Sequence, residues 1–331
     1  MKNFEKLLLI VVFMTAIVFN AAAGGNRDRI IDIIDIIIDG TQTSAPASDS
    51  PSPGDEIVSS IGISMVWIPA GTFTRGSNIE LDFAQPPHQV TLTNGFYMGR
   101  YEVTQAQWRE LMGTNIQQQE RYYHGGVGAL AGVGDNFPMY YVNWFDAIVF
   151  CNRLSIKEGL TPAYSINNST NPAAWGSVPA SWDDSTITVW DNVTIVANST
   201  GYRLPTEAQW EYACRAGTTT AYNTGNTITD NTGWYRHNSA DGTSEAGGKP
   251  ANAWGLYDMH GNVSEWVWDR LDEYTAGAKT DPTGPSATDD RVRVLRGGSW
   301  NDYEEPLRSA YRDSFSPEGS SNAWGFRLVR P

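Results

Sequence analysis

The C-terminal end of the chain leaves the fewest options for folding. Arg296-Gly297-Gly298-Ser299-Trp300 reads as a glycine-glycine bend entering an aromatic position. Gly325-Phe326-Arg327-Leu328-Val329 alternates faces as a closing strand does. Between them, Asn301 to Trp324 is polar and aromatic-rich, has little periodicity, and contains neither cysteine nor histidine. Two ordered ends around an irregular segment describe a frame that presents a loop, and loops so held carry binding or catalysis.

Long stretches elsewhere are equally irregular. Residues 160–200 are dominated by Asn, Ser, Thr, Ala and Trp, with short strands expected at Thr186–Trp190 and Val193–Val196. Residues 219–253 are rich in Gly, Asn and Thr with no clear element. So much irregular chain needs something besides secondary structure to fix it, and bound cations are a common answer.

The regular elements have local signatures. Met65–Pro69, His88–Leu92 and Phe96–Tyr101 read as strands. Thr104 followed by Gln107 is a capping box, so a helix starts there with Trp108, Leu111 and Met112 as its stripe and Gly113 as its stop. The device recurs at Thr206 and Gln209, with Trp210, Ala213 and Cys214 as the stripe and Gly217 as the stop. A third helix opens at Asn143, presents Ala147, Phe150, Cys151 and Leu154, and stops at Gly159.

A chain of 331 residues accommodates one large domain or two ordinary ones, and 40% apolar content with 13 tryptophans supports a real core. The formal charge of −14 argues against nucleic acid as a partner. Lys2 and Lys6 precede the apolar run Leu7–Phe19, and Ala21-Ala22-Ala23-Gly24 offers a cleavage site. Residues 1–23 are therefore expected to be a signal peptide, too short for a comfortable membrane span, and the product is expected in the periplasm, on the cell surface or secreted. No cysteine follows the cleavage site, so a lipid anchor is not expected. Residues 24–55, first Ile/Asp-rich and then Ser/Pro-rich, read as a linker, which leaves 56–331 as the folded domain. Cys151 and Cys214 either pair with each other or stay as buried free thiols; the second reading is favoured.

Several chemistries lack sequence support. His88, His124, His237 and His260 are scattered and form no HExxH or other local metal motif. No glycine-rich loop precedes a helix, and Gly297-Gly298-Ser299-Trp300 is not a nucleophile elbow. Asp258 and Glu265 flank a glycine-containing turn, an arrangement able to aim oxygen ligands at a hard cation.

Six motifs in order resemble the formylglycine-generating enzyme (sulfatase-modifying factor) family. They are Met65-Val66-Trp67-Ile68-Pro69-Ala70-Gly71, Tyr101-Glu102-Val103-Thr104, Arg203-Leu204-Pro205-Thr206-Glu207, Gly261-Asn262-Val263-Ser264-Glu265-Trp266, Arg296–Trp300 and Gly325-Phe326-Arg327. The resemblance spans about 57–331. It implies an α+β, C-type-lectin-like fold, low in regular structure and stabilised by calcium. The implied calcium ligands are the Asp258 side chain, the Gly261 and Val263 carbonyls and the Glu265 carboxylate. Aerobic members hold copper(I) through two thiolates just after the Gly-Gly-Ser-aromatic bend. The first position is Asp302 here and the second falls within Glu304–Leu307, where no cysteine stands. Carboxylates are poor substitutes for soft thiolates, so copper and formylglycine formation are not expected.

The leading expectation is accordingly an exported binding domain for a protein or glycan. Trp300, Tyr303, Tyr311, Phe315 and Trp324 supply aromatic area; Asp302, Glu304, Arg308, Arg312 and Asp313 supply charge; Asn301 and Asn322 complete the set. Variable proteins of diversity-generating retroelements resemble this family and vary a C-terminal segment by mutating adenines. Positions 301, 302, 303, 313, 314, 315 and 322 carry the residues that mutated Asn codons yield. The alternatives are an oxidoreductase of the sulfatase-modifying type with a non-standard site, and a purely structural envelope component.

Overall fold

Helices begin where local capping residues place them. A computed structural model of the chain describes residues 51–79, 82–181, 183–285 and 291–331. The expected signal peptide, and the expected linker up to residue 50, lie outside the described residues. In α1 (Gln105–Met112) the Thr104 hydroxyl accepts from the Gln107 N–H while the Gln107 side chain returns to the Thr104 N–H, and Gly113 caps the end at φ 78°. Helix α2 (Ile116–His124) has the same reciprocal cap at Asn115 and Gln118. It was not expected, because its sequence IQQQERYYH buries polar Gln119 and Glu120 beside a single aliphatic residue and shows no apolar stripe. Helix α3 (Trp144–Lys157) starts at the Asn143–Asp146 box and is buried along nearly its whole length.

Thr186–Trp190, expected as a strand, is instead the short helix α4 (Ile187–Trp190). The Asp184 carboxylate accepts from both the N–H and the hydroxyl of Thr186, and Ile187 and Trp190 bury together at helical spacing. Tertiary burial overrides the β-branched bias here. Helix α5 (Glu207–Arg215) has its Thr206–Gln209 box, but its left-handed cap is Ala216, one residue before the expected Gly217.

Strands β1 (Glu56–Val58), β2 (Ser64–Ile68), β5 (Phe96–Gly99) and β13 (Val329–Arg330) form an antiparallel sheet in that order. A second sheet runs β11 (Asp313–Phe315), β10 (Arg293–Arg296), β8 (Ser264–Arg270), β12 (Trp324–Phe326), with β12 parallel to β8. Strands β3 (Gly71–Arg75), β4 (His88–Leu92) and β9 (Lys279–Thr280) form a third. Two-residue strands β6 (Tyr164–Ser165) and β7 (Thr194–Ile195) pair alone, so the strand expected at Val193–Val196 is shorter than its sequence suggests.

The expected closing strand Gly325–Val329 is likewise two strands in two sheets. Between them, fully buried Arg327 donates to both oxygens of Glu265 (2.6 and 2.7 Å) on β8 and to the Gly99 carbonyl (3.0 Å) on β5. One guanidinium thus joins the sheets at the point where the chain changes sheet.

Two cores pack around this frame. One surrounds α3, with Trp144, Phe150 and Phe326; the other surrounds α5, with Trp210, Met98 and Val267. Each such large side chain, fully buried, contributes about 1.5–3 kcal/mol.

Between the helices and strands lies a buried ionic layer. Glu207, at the first position of α5, receives Arg75 at 2.5 Å and Arg312 at 2.6 Å. Glu211, one turn on, receives Arg215 at 2.9 Å and Arg296 at 2.8 Å. The irregular chain is therefore pinned in large part by its own guanidinium groups.

Candidate functional site

The C-terminal segment is anchored at the Gly-Gly bend. Buried Arg296 holds Glu211 and the Ser309 carbonyl (2.7 Å), while Gly297 and Gly298 take φ of 95° and 66°, which favour glycine. The Asp302 carboxylate closes the bend by accepting from the Ser299 N–H (2.9 Å) and hydroxyl (2.7 Å). Asp302 is thus a loop clasp at the position where the resemblance places the first thiolate.

The expected ligand residues divide. Asn301, Tyr303, Asp313 and Phe315 are exposed; Asp302, Glu304, Tyr311, Asn322 and Trp324 are half-buried. Trp300 does not belong with them: it is 9% exposed, packs in the core and donates its indole N–H to the Asn322 carbonyl. Arg312 is likewise interior, forked onto Glu207. The structure adds two residues that the aperiodic 219–253 stretch hid. Arg236 donates to Asn301 Oδ1 (3.0 Å) and lies 5.3 Å from the Tyr303 ring centre; His237 sits 3.5 Å from Glu304 and 5.6 Å from that ring. Phe315 packs on Trp324 at 4.6 Å, and Trp324 leans on buried Trp266. Partial desolvation, and then the charge of Asp302, raise the Asp313 carboxyl.

Within Glu304–Leu307, the inward side chain is Leu307, fully buried against Tyr222 and Tyr235. An aliphatic group occupies the ground where the resemblance places a second thiolate. Cys151 and Cys214 are both free and buried in different cores. Burial pushes both thiols up, Cys214 to about 12, which makes them inert at neutral pH. Cys214 lies 3.7 Å from His260 Nε2, but that nitrogen accepts from the Asn223 N–H while Nδ1 donates to the Leu307 carbonyl (2.7 Å). Burial holds this imidazole neutral, down to about 4. Among the described residues, no group of three or more His, Cys, Asp or Glu side chains is placed to hold a metal ion.

The residues expected to hold calcium fit unequally. Asp258, at φ 55°, accepts the Gly247 N–H through Oδ2 (2.6 Å), while its buried Oδ1 has no hydrogen-bond partner among the described residues. The carbonyls of Gly261 and Val263 accept none of the turn and loop hydrogen bonds. Glu265 spends both oxygens on Arg327, and one also takes the Trp210 indole N–H at 2.7 Å. Glu102, unexpected from sequence, is 1% exposed, and neither of its oxygens has a hydrogen-bond partner among the described residues. Burial, followed by the charge of Asp258, pushes it well above the usual carboxylate range, and burial pushes Asp258 up to about 6. Orphaned hard oxygens of this kind suit water or a hard cation.

The family model of the sulfatase-modifying factor enzyme 1-like domain matches residues 59–331, and the chain belongs to that family. Its architecture is the α+β, C-type-lectin-like fold of formylglycine-generating enzymes. It is 30% identical over 285 residues to chaperone protein LppX of Paenibacillus barcinonensis, covering 80% of this chain and 89% of that protein. It is 30% identical over 294 residues to the formylglycine-generating enzyme of Mus musculus, covering 80% and 74%. Among solved structures it is similar to Treponema denticola variable protein 1, at 36% identity and a TM-score of 0.70, covering 84% of this chain and 99% of that one.

Proposed function

We propose that this chain is an exported ligand-binding protein that presents residues 301–324 to a protein or glycan, and that it does not form formylglycine. One observation carries the reading. None of the seven positions bearing the adenine-mutation palette (301, 302, 303, 313, 314, 315 and 322) is buried, whereas Leu307, Ser309, Ala310 and Arg312 between them are. A segment built to vary would alternate in this way, with fixed residues inward and exchangeable ones outward. The likeness to a Treponema variable protein supports the same reading.

Two tests apply. The genomic locus should hold a template repeat that differs from codons 301–322 only at adenines. Ligands selected on the wild-type protein from a displayed peptide library and a glycan array should lose binding to a Tyr303→Ser/Phe315→Ser variant. Binders indifferent to that variant would sink the reading.

Calcium belongs to the same proposal. Asp258, with the Gly261 and Val263 carbonyls, would hold it, and Glu102 rather than Glu265 has oxygens to spare. A site filled to a hundred times its Kd adds about 2.7 kcal/mol of stability. Millimolar calcium should therefore raise the Tm of chelator-treated protein, and Asp258→Ala should abolish the rise. An unchanged Tm counts against the site.

A further inference from the structure

A groove beside this surface is lined wholly from outside the C-terminal segment. It encloses about 570 Å³ between Leu130, Phe137 and Trp234 on one side and the turn from Ser239 to Glu245 on the other. It neighbours residues 301–324: the lining Ser239 hydroxyl donates to the carbonyl of Trp300, just before them (2.9 Å), and Asn322 Nδ2 donates to the carbonyl of Ala129, just before the lining Leu130 (3.2 Å).

One wall belongs to the loop Gly125–Gly134, which has no charged residue. Val127 is 90% exposed, Val133 50% and Leu130 41%. Such exposure commonly marks a frayed loop, but this one is held. The Tyr140 hydroxyl accepts from the Ala131 N–H and donates to the Gly132 carbonyl (both 2.8 Å). The Tyr141 hydroxyl donates to the Ala129 carbonyl (2.7 Å), and Glu120 accepts from the Gly128 N–H (2.6 Å). The two walls meet where Thr243 Oγ1 donates to the Ala131 carbonyl at 2.6 Å. A Cβ at Gly132, whose φ is 127°, would stand 2.3 Å from that hydroxyl, so the approach requires glycine. Aliphatic groups pinned in water are an interaction feature rather than a folding remnant.

The charge among the lining residues has one sign. Its lining carries exposed Asp241 and Glu245 and no Lys or Arg, and the C-terminal surface described above carries Glu304 and Asp313 along with Arg236. Lys249 borders the lining, with its ammonium 3.8 Å from the Trp234 ring centre, which shows that this ring accepts a cation. That ammonium also occupies the ring which would otherwise offer a sugar its stacking face.

We propose that the groove is part of the ligand surface and takes an extended polypeptide segment carrying lysine or arginine beside aliphatic side chains. This rests on the ligand-binding reading and extends it to residues beyond the C-terminal segment. The aliphatic side chains would pack on Leu130 and Phe137, and the cations would meet Asp241 and Glu245.

The probe is a fluorescent peptide of alternating leucine and lysine, with a leucine–glutamate twin, measured by anisotropy on the full chain. The lysine peptide should bind, more weakly as salt rises, and the twin should not. Leu130→Asp should weaken binding about tenfold. General attraction to an acidic protein predicts the opposite, because that substitution adds negative charge. Asp241→Asn with Glu245→Gln should also weaken it. Thermal melts confirm that each variant folds. Absent binding, equal binding of the twin, or indifference to the groove variants would overturn the inference. Sensitivity to Tyr303→Ser/Phe315→Ser alone would also overturn it, yet leave the ligand-binding reading standing.

Discussion

Arg312 and Asp313 are neighbours in the chain and belong to opposite environments. Arg312 is interior, bonded to Glu207, to the Phe83 carbonyl and to the Asp272 carbonyl; Asp313 faces solvent. The same division runs through the whole segment. Its inward residues complete an ionic layer shared with α5 and β3, and its outward residues meet Arg236, His237 and one another at the surface. The contrast shows how a nearly aperiodic segment can be both rigid and tolerant of change. Rigidity comes from a few buried charge pairs and from the Asp302 clasp, so outward positions such as Tyr303 and Phe315 carry little structural duty.

The division is broken most severely at Glu207. Replacing it with alanine leaves Arg75 and Arg312 buried without their partner, and breaking such a pair costs about 3–5 kcal/mol. Urea unfolding should show that loss or outright failure to fold; a loss below about 1 kcal/mol would mean that the layer is not what holds the segment. Leu307→Ala comes next, at about 2–5 kcal/mol, because Leu307 fills the space beneath the bend.

Acid titration separates two kinds of buried carboxylate within the layer itself. Burial opposes ionisation of Glu207, but Arg312, Arg75 and Arg296 together hold it far below the usual range. Its contribution is present above the unfolded value of about 4.3 and is lost as pH falls further. Asp269 is pushed up to about 6 by burial, although Arg75 counters in part. Its folded form binds a proton more tightly than its unfolded form, so its contribution is full below about 4 and is lost as pH rises through about 6. Asp269→Asn should reduce the fall in stability between those limits, the rest belonging to carboxyls such as Asp258, and leave the acid limb unchanged, as read from Tm against pH. The smallest effect belongs to the outward face. Tyr303→Ser and Phe315→Ser should each change stability by less than about 0.5 kcal/mol in thermal melts. A larger change would show that these side chains serve the frame after all.

Much of the frame was legible because its signals are local. Thr104 with Gln107, Asn143 with Asp146 and Thr206 with Gln209 satisfy orphan helix donors within four residues, so a reader of the sequence finds them. Helix α2 escaped because it buries glutamine and glutamate, and α4 because Asp184 and the core outvoted its β-branched residues. At the site, the loss of the copper thiolates could be read from Asp302 and from the lack of cysteine through Leu307. Trp300 could not be sorted from Trp324, since one aromatic looks like another until its neighbours are known.

The capping boxes at Thr104, Asn143 and Thr206, the glycine bend and the family follow from the sequence alone, since each rests on residue types a few positions apart. Which charges are interior was decided only in three dimensions. Glu207 meets Arg75 across 132 residues and Arg312 across 105, and Glu265 meets Arg327 across 62. A guanidinium in a sequence carries the same label whether it lies in water or beneath a sheet. Its role is set by the carboxylate that folding brings to it, because burial without that partner would cost more than the fold can bear.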